Sequence, residues 1–383
     1  MQRRTSVNKR HIFIYKLLRP LVVLYIKCRF DYRYQHAKEL PEKYMILSNH
    51  ATDFDPLLVA CSFPQHMYFM ASEHVARWGF LSKVIRYLGD PILRCKGASS
   101  ISAVMEMLRR IRNGHNICFF PEGVRTWNGV TKPITTATAK LVRTSGAALI
   151  TYKLTGAYFS SPMWGGAQVR RGPVRGEIVH IYTQEQVKAM SLQELTDAIN
   201  ADLYEDAYAR QLEQPRRYKS KLGAARLENL LFLCPKCGQQ DSYHTQGDRI
   251  CCASCGTAIG YDEYGKLENS AFDTVQKLYD WQCTQVAGDV AQGKPYVAQC
   301  GLLRTVENHV SCEVDQGEIY MSPEILRCGN FQVEMERITE LAMHGQRNLV
   351  FTVDGKYYEI KVADGGNALK FHLYFQELKE RGK

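Results

Sequence analysis

The 383 residues are 45% apolar and 23% charged, the balance of a soluble or peripheral globular protein of two or three domains rather than of a disordered or multiply membrane-spanning chain. Lysine and arginine total 49 against 39 acidic residues, and the net charge of +10 favours an anionic partner such as a phospholipid surface, an acidic donor molecule or a nucleic acid. Thirteen cysteines without a secretory signal fit a reducing compartment and argue against a disulfide framework; thiols there serve as core residues or metal ligands.

The chain opens basic, at Arg3, Arg4, Lys9 and Arg10, and turns apolar and aromatic from Ile12 to Phe30. Lys16, Arg19, Lys27 and Arg29 interrupt that stretch, and its longest uncharged run, Pro20 to Ile26, is far short of the roughly 20 residues a span requires. No small-residue cleavage site follows it. An amphipathic helix is expected, kinked at Pro20, that lies among lipid headgroups with its cations snorkelling outward or else packs on the protein's own core.

From Met45 to Leu154 short apolar runs alternate with helical periodicity. Tyr44 to Leu47 reads as a strand, Ser48 to Pro56 as a polar turn and Leu57 to Ala60 as a helix start, with Asp55 as N-cap and Pro56 at the first helical position. Met67 to Ala71 follows as strand, Trp78 to Leu88 as helix and Pro91 to Leu93 as strand. Ile101, Val104, Met105, Leu108 and Ile111 make a helical stripe capped by Ser99 or Ser100 and stopped at Gly114, before the strands Asn116 to Phe120 and Ala147 to Leu154. Ser191 and Glu194 form a capping-box pattern opening a helix with Leu195, Ile199 and Leu203. The expected architecture is α/β, a sheet covered by helices with its site at strand ends.

Two blocks carry the chemistry. In a continuous helix five residues turn through roughly 500°, so His50 and Asp55 of Asn49-His50-Ala51-Thr52-Asp53-Phe54-Asp55 meet only if the chain bends between them, which the turn provides. An imidazole beside a carboxylate is a general base whose tautomer the carboxylate fixes. The second block is Phe119-Phe120-Pro121-Glu122-Gly123-Val124-Arg125. Together they resemble the N-H-x4-D and F-P-E-G blocks of the glycerolipid acyltransferases, in particular the 1-acylglycerol-3-phosphate (lysophosphatidate) acyltransferases, from Leu40 to about Gln211.

That resemblance implies transfer of a fatty acyl group from a thioester, of coenzyme A or of acyl-carrier protein, to a hydroxyl of a lysophospholipid, with lysophosphatidate giving phosphatidate as the leading reaction. His50 would take the hydroxyl proton and Asp55 would orient it. Arg125 offers a planar fork for phosphate, Gly123 allows close approach of backbone, and Glu122 would hold Arg125 or a glycerol hydroxyl. Gly89 to Gly97 corresponds to a family block with an arginine that contacts acceptor phosphate, and Arg94 is carried over to that role, with Lys96 as the other candidate. The family's fourth block, a strand with an internal proline, lacks its proline in Ala148 to Tyr152. The implied location is cytoplasmic, peripheral on the inner face of a membrane rich in anionic phospholipid.

Beyond a basic linker, Arg216 to Lys221, read as a solvated surface or an anionic-lipid contact, stand Cys234-Pro235-Lys236-Cys237 and Cys252-Ala253-Ser254-Cys255. Two C-x2-C knuckles at this separation make a zinc ribbon, with four ligands and hence a structural Zn2+. The remainder reads as a helix, Phe272 to Gln282, with Val275, Leu278, Tyr279 and Gln282 at helical spacing. It continues with strands that include a hairpin turning at Asp354-Gly355, and a closing helix capped near Asn367 with Phe371, Phe375 and Leu378 along one side. That order resembles a pleckstrin-homology-like barrel in pattern. The expected division is a membrane-associating segment 1–39, an acyltransferase domain 40–214, a linker 215–229, the ribbon 230–265 and a β-rich domain 266–383. The competing class is a non-enzymatic protein, a lipid-surface scaffold or a nucleic-acid binder using the ribbon and linker. Nucleic acid is not expected, because Tyr218 alone is interleaved with the linker cations.

Overall fold

A computed structural model describes residues 9–73, 75, 79–94, 101–166, 168–307 and 310–382. The expected helix cap at Ser99 or Ser100, the start of the third helix at Trp78, and Arg3, Arg4 and Lys96 lie outside the described residues. The chain divides into two compact units, the first holding residues 1–94, 100–163 and 168–219, the second most of the remainder.

In the first unit the elements run α1 (Lys9–Arg29), β1 (Asp31–Tyr34), β2 (Tyr44–Ser48), α2 (Asp55–Ser62), β3 (Met67–Ser72), α3 (Phe80–Gly89), β4 (Ile92–Arg94), α4 (Ile101–Arg112), β5 (Asn116–Phe119), α5 (Thr136–Ser145) and β6 (Ala148–Thr155). They continue with α6 (Ala157–Ser160), β7 (Pro173–Tyr182), α7 (Gln184–Ala189), α8 (Leu192–Leu203) and α9 (Ala207–Glu213). The described strands form a seven-stranded sheet in the order β1-β7-β6-β2-β5-β3-β4. All neighbours are parallel except β6 and β7. Every residue of β2 and of β5 is buried, as central parallel strands covered on both faces require. One core gathers Met45 and Leu47 of β2, Ile117 and Phe119 of β5 and Leu149 of β6 under Met107 of α4, Val142 of α5 and Leu195 and Ile199 of α8.

Helix α4 departs from expectation. The buried face of α4 is Ala103, Met107, Arg110 and Ile111 with Leu108, whereas Ile101 and Met105 are exposed, so the apolar stripe read in the sequence is offset from the real one. Helix α1 runs uninterrupted through Pro20. Tyr15 and Arg19 on its inner side donate to the carbonyls of Ala60, Cys61 and Phe63, satisfying the open C-terminal end of α2. The linker cations Arg216, Arg217 and Lys219 are exposed, but Tyr218 is buried against Phe159 at 5.2 Å and donates to the Pro173 carbonyl at 3.0 Å, so the stretch is tied down rather than free.

The second unit contains a four-stranded antiparallel ribbon of β8 (Tyr243–Gln246), β9 (Arg249–Cys252), β10 (Ala258–Tyr261) and β11 (Leu267–Glu268). Helix α10 (Val275–Ala291) follows, longer than its sequence periodicity suggested, burying Val275, Leu278, Gln282, Val286 and Val290. Then come β12 (Tyr296–Glu307), β13 (Val310–Met321), β14 (Ile325–Cys328), β15 (Phe331–Glu334), β16 (Leu341–His344), β17 (Asn348–Val353), β18 (Lys356–Val362) and α11 (Leu369–Arg381). These strands make an antiparallel sheet in the order β15-β14-β13-β12-β18-β17-β16. The β17–β18 hairpin turns at Asp354 and Gly355, both at positive φ, the pair of left-handed residues a two-residue hairpin demands. Asn367 accepts the Lys370 N–H at 3.0 Å at the start of α11, whose Phe371, Tyr374 and Phe375 are buried. Lys370 itself is buried and paired with Asp241, which joins α11 to the ribbon.

Candidate active site and metal centre

Register explains why two blocks so far apart in sequence converge. Leu47 of β2 pairs with Phe119 of the parallel neighbour β5. His50 and Glu122 both lie three residues beyond that pair, so they emerge side by side at the carboxyl ends of adjacent strands, where open α/β sheets place their sites. The loops are then bonded together: Glu122 Oε1 accepts the His50 N–H at 2.7 Å, and Thr126 donates its N–H to the His50 carbonyl at 2.9 Å.

The bend after β2 brings His50 Nδ1 to 2.8 Å from Asp55 Oδ2. Asp55 is fully buried and accepts three further hydrogen bonds, from the backbone N–H groups of Ala51 and Thr52 at 2.7 and 2.9 Å and from Thr52 Oγ1 at 3.0 Å. It is therefore not the helix cap the sequence suggested. Phe54 occupies the cap position without a side-chain bond, and the Asp55 carboxylate turns back into the bend. Since a carboxylate offers only acceptors, the ring proton sits on Nδ1 and leaves Nε2 as the basic nitrogen. Phe120 stacks on the imidazole with ring centroids 4.3 Å apart and planes 19° apart, and Asn49 pins the turn by exchanging two 2.8 Å hydrogen bonds with the Leu154 backbone of β6.

Glu122 uses both oxygens on backbone, the second accepting from Lys132 N–H at 3.0 Å. It does not hold Arg125, contrary to the sequence expectation. Burial pushes its carboxyl up to about 7, against the pull of those two N–H donors. Arg125 pairs instead with Asp53, Nη1 to Oδ2 2.7 Å. Gly123 sits at φ +72°, and a Cβ built there would lie 2.8 Å from Arg94 Nη1, so the Arg94 guanidinium packs against the second block. Arg94, Arg125, Glu122, Gly123, His50 and Asp55 thus gather at one end of the sheet. A cleft of about 440 Å³ opens beside them, lined by Arg94, Phe120 and Pro121 at the site and by Val104, Met107, Leu108 and Leu141 between α4 and α5. Sequence reasoning missed Asn49, Thr52, Asp53 and Phe120, all of them inside the blocks it had singled out.

In the second unit Cys234, Cys237, Cys252 and Cys255 have their Sγ atoms all within 4.8 Å of one another. The Cys234–Cys255 and Cys237–Cys252 sulfurs are 3.8 Å apart, which is the edge of a tetrahedron with metal–sulfur bonds of about 2.3 Å. Gly238 and Gly256, at φ +72° and +71°, return their N–H to Cys234 and Cys252 and close each knuckle. The Ser242 hydroxyl at 3.1 Å from Cys252 Sγ and the Thr257 hydroxyl at 3.2 Å from Cys255 Sγ can donate to thiolates. The group can hold a tetrahedral metal ion. Cys251 alternates with Cys252 along β9, so its side chain leaves the opposite face of the strand.

The same unit is similar to known proteins. Residues 31–155 match the family model described as Acyltransferase. The chain is 36% identical over 84 residues to a lyso-ornithine lipid O-acyltransferase of Rhodobacter capsulatus, covering 21% of this chain and 29% of that protein. It is 24% identical over 117 residues to a 1-acyl-sn-glycerol-3-phosphate acyltransferase of Borreliella burgdorferi, covering 30% and 47%. The match therefore spans less than half the length of either relative. The crystal structure of the 1-acyl-sn-glycerophosphate acyltransferase of Thermotoga maritima is similar at a TM-score of 0.45 and 18% identity, over 57% of this chain and 86% of that one.

Proposed function

We propose that the first unit transfers a fatty acyl group from an acyl thioester to a hydroxyl of a lysophospholipid, with lysophosphatidate as the first acceptor to test. The observation that carries this reading is the His50–Asp55 pair at 2.8 Å, joined through Glu122 to a loop that carries Arg125 and packs against Arg94 at Gly123. His50 Nε2 takes the proton as the acceptor oxygen attacks the thioester carbonyl, and the imidazolium that forms is stabilised by Asp55. The tetrahedral intermediate then expels the thiolate, which receives that proton from His50. General-base assistance of this kind contributes about 10²–10⁴ in rate, and positioning of the two substrates supplies much of the rest. Arg94 and Arg125 serve the acceptor's anionic headgroup, and the apolar cleft between α4 and α5 suits an acyl chain.

Helix α1 supports a peripheral association with an anionic phospholipid surface on the inner face of a membrane. Phe13, Leu17, Leu21 and Leu24 are each at least 60% exposed. At about 100° per residue they fall within roughly 80° of arc, with Lys9, Lys16 and Lys27 in a row about 40–60° to one side. No helix among the described residues is long and apolar enough to cross a membrane. The four cysteines would hold Zn2+ as a purely structural ion, leaving no open position for catalysis. The strand order of the last domain, in which the first long strand pairs with the last before a closing helix, supports a pleckstrin-homology-like barrel. Incubation of the purified chain with labelled acyl-coenzyme A or acyl-carrier protein and a panel of lysophospholipids tests the reading. It fails if no donor and acceptor pair yields diacylated product.

A further inference from the structure

The turn between His50 and Asp55 carries a second carboxylate that the chemistry above does not use. Asp53 Oδ2 lies 2.7 Å from Arg125 Nη1, and within that pair the carboxylate side chain is 67% exposed while the guanidinium is 14% exposed. A headgroup arriving from solvent therefore meets Asp53 before it meets Arg125. Both partners are fixed relative to the dyad, because Asp53 lies between His50 and Asp55 and the residue after Arg125 donates its N–H to the His50 carbonyl.

We infer that Asp53 is a specificity-determining residue for the acceptor headgroup, one that lowers the site's preference for a dianionic phosphate monoester relative to a zwitterionic headgroup bearing an ammonium. This rests on the acyltransferase reading. To grip a phosphate bidentately, Arg125 must release Asp53 or share its fork with a carboxylate of the same sign as the ligand, and such like-charge juxtaposition disfavours the more highly charged acceptor. An ammonium instead finds a carboxylate already held in place. Arg94, against Gly123, remains to meet the single negative charge of a phosphodiester.

The test compares kcat/KM for lysophosphatidate and lysophosphatidylethanolamine of the same acyl chain, with one donor, in the full chain and in Asp53→Asn. Asparagine keeps the size and a hydrogen bond to Arg125 and removes the charge. The lysophosphatidate-to-lysophosphatidylethanolamine ratio is expected to rise about tenfold or more, chiefly through the two KM values. Asp53→Ser should move it the same way and Asp53→Glu should leave it within about threefold of the parent. A ratio that stays put or falls in both neutral variants, with transfer still measurable, overturns the assignment of Asp53 alone. Absence of transfer to any lysophospholipid by the unmodified chain overturns the acyltransferase reading and this inference with it.

Discussion

Gly123 is the residue at which the second block is least tolerant. Alanine there costs about 1–2 kcal/mol for a left-handed backbone and sets a methyl group 2.8 Å from Arg94 Nη1, which must move away. Gly123→Ala should therefore raise the acceptor KM more than the donor KM while leaving the protein folded; equal effects on both would detach Arg94 from the acceptor. Arg125→Ala should raise the acceptor KM roughly ten- to several-hundred-fold, the worth of a charge-assisted bidentate contact, with Arg125→Lys recovering part of it. Steady-state kinetics with each substrate varied in turn decide this, and a selective rise in donor KM would move Arg125 to the thioester side. Glu122 gives a pH signature. Its folded carboxyl lies above its usual value, at about 7, so the folded state holds this proton more tightly and stability falls as pH rises from about 4.5 through 7. Glu122→Gln should remove about 1–3 kcal/mol of that pH dependence, read as melting temperature from pH 5 to 8. A parent and variant whose melting curves shift in parallel over that range would contradict it.

Among the elements, β2 and β5 were legible because unbroken apolar runs such as Met45-Ile46-Leu47 and Ile117-Cys118-Phe119 admit few other readings, and the blocks that follow them were legible by residue type. Other elements were not. Strand β7 contains Arg175, Gly176, Glu177 and His180, and β1 reads Asp31-Tyr32-Arg33-Tyr34; β1 is the edge strand and β7 its neighbour, and buried residues in both are interspersed with half-buried and exposed ones, so neither needs an unbroken apolar run. Asp55 was read as a cap from its place before Pro56, yet the bend offers its carboxylate four donors that a cap position would not. The Asp53–Arg125 pair was invisible for a related reason, since it depends on two loops meeting through strand register. Helix α1 packs on the protein's own core through its inner side, which holds the end of α2, and its outer side is apolar, the side proposed to meet a membrane. Changing Phe13, Leu17, Leu21 and Leu24 together to serine should abolish sedimentation with vesicles containing anionic phospholipid without lowering the melting temperature appreciably. Undiminished vesicle binding would remove α1 as the membrane contact.

In the proposed reading of the whole molecule the first unit performs the chemistry and the four cysteines of the second would hold a structural metal. Elemental analysis of protein prepared without chelators should give one zinc per chain, lost when Cys234 and Cys237 are both changed to serine, with the ribbon unfolding locally because apo ribbons lack the core to stand alone. Iron, or no metal, would contradict this. If His50 is the base in the proposed acyl transfer, the rate of acyl transfer by His50→Ala, measured beside the parent at equal melting temperature and circular dichroism, is the decisive measurement. A fall of about 10²-fold or more with the fold intact is expected; a folded His50→Ala protein that keeps most of the parent's turnover would rule His50 out as the base.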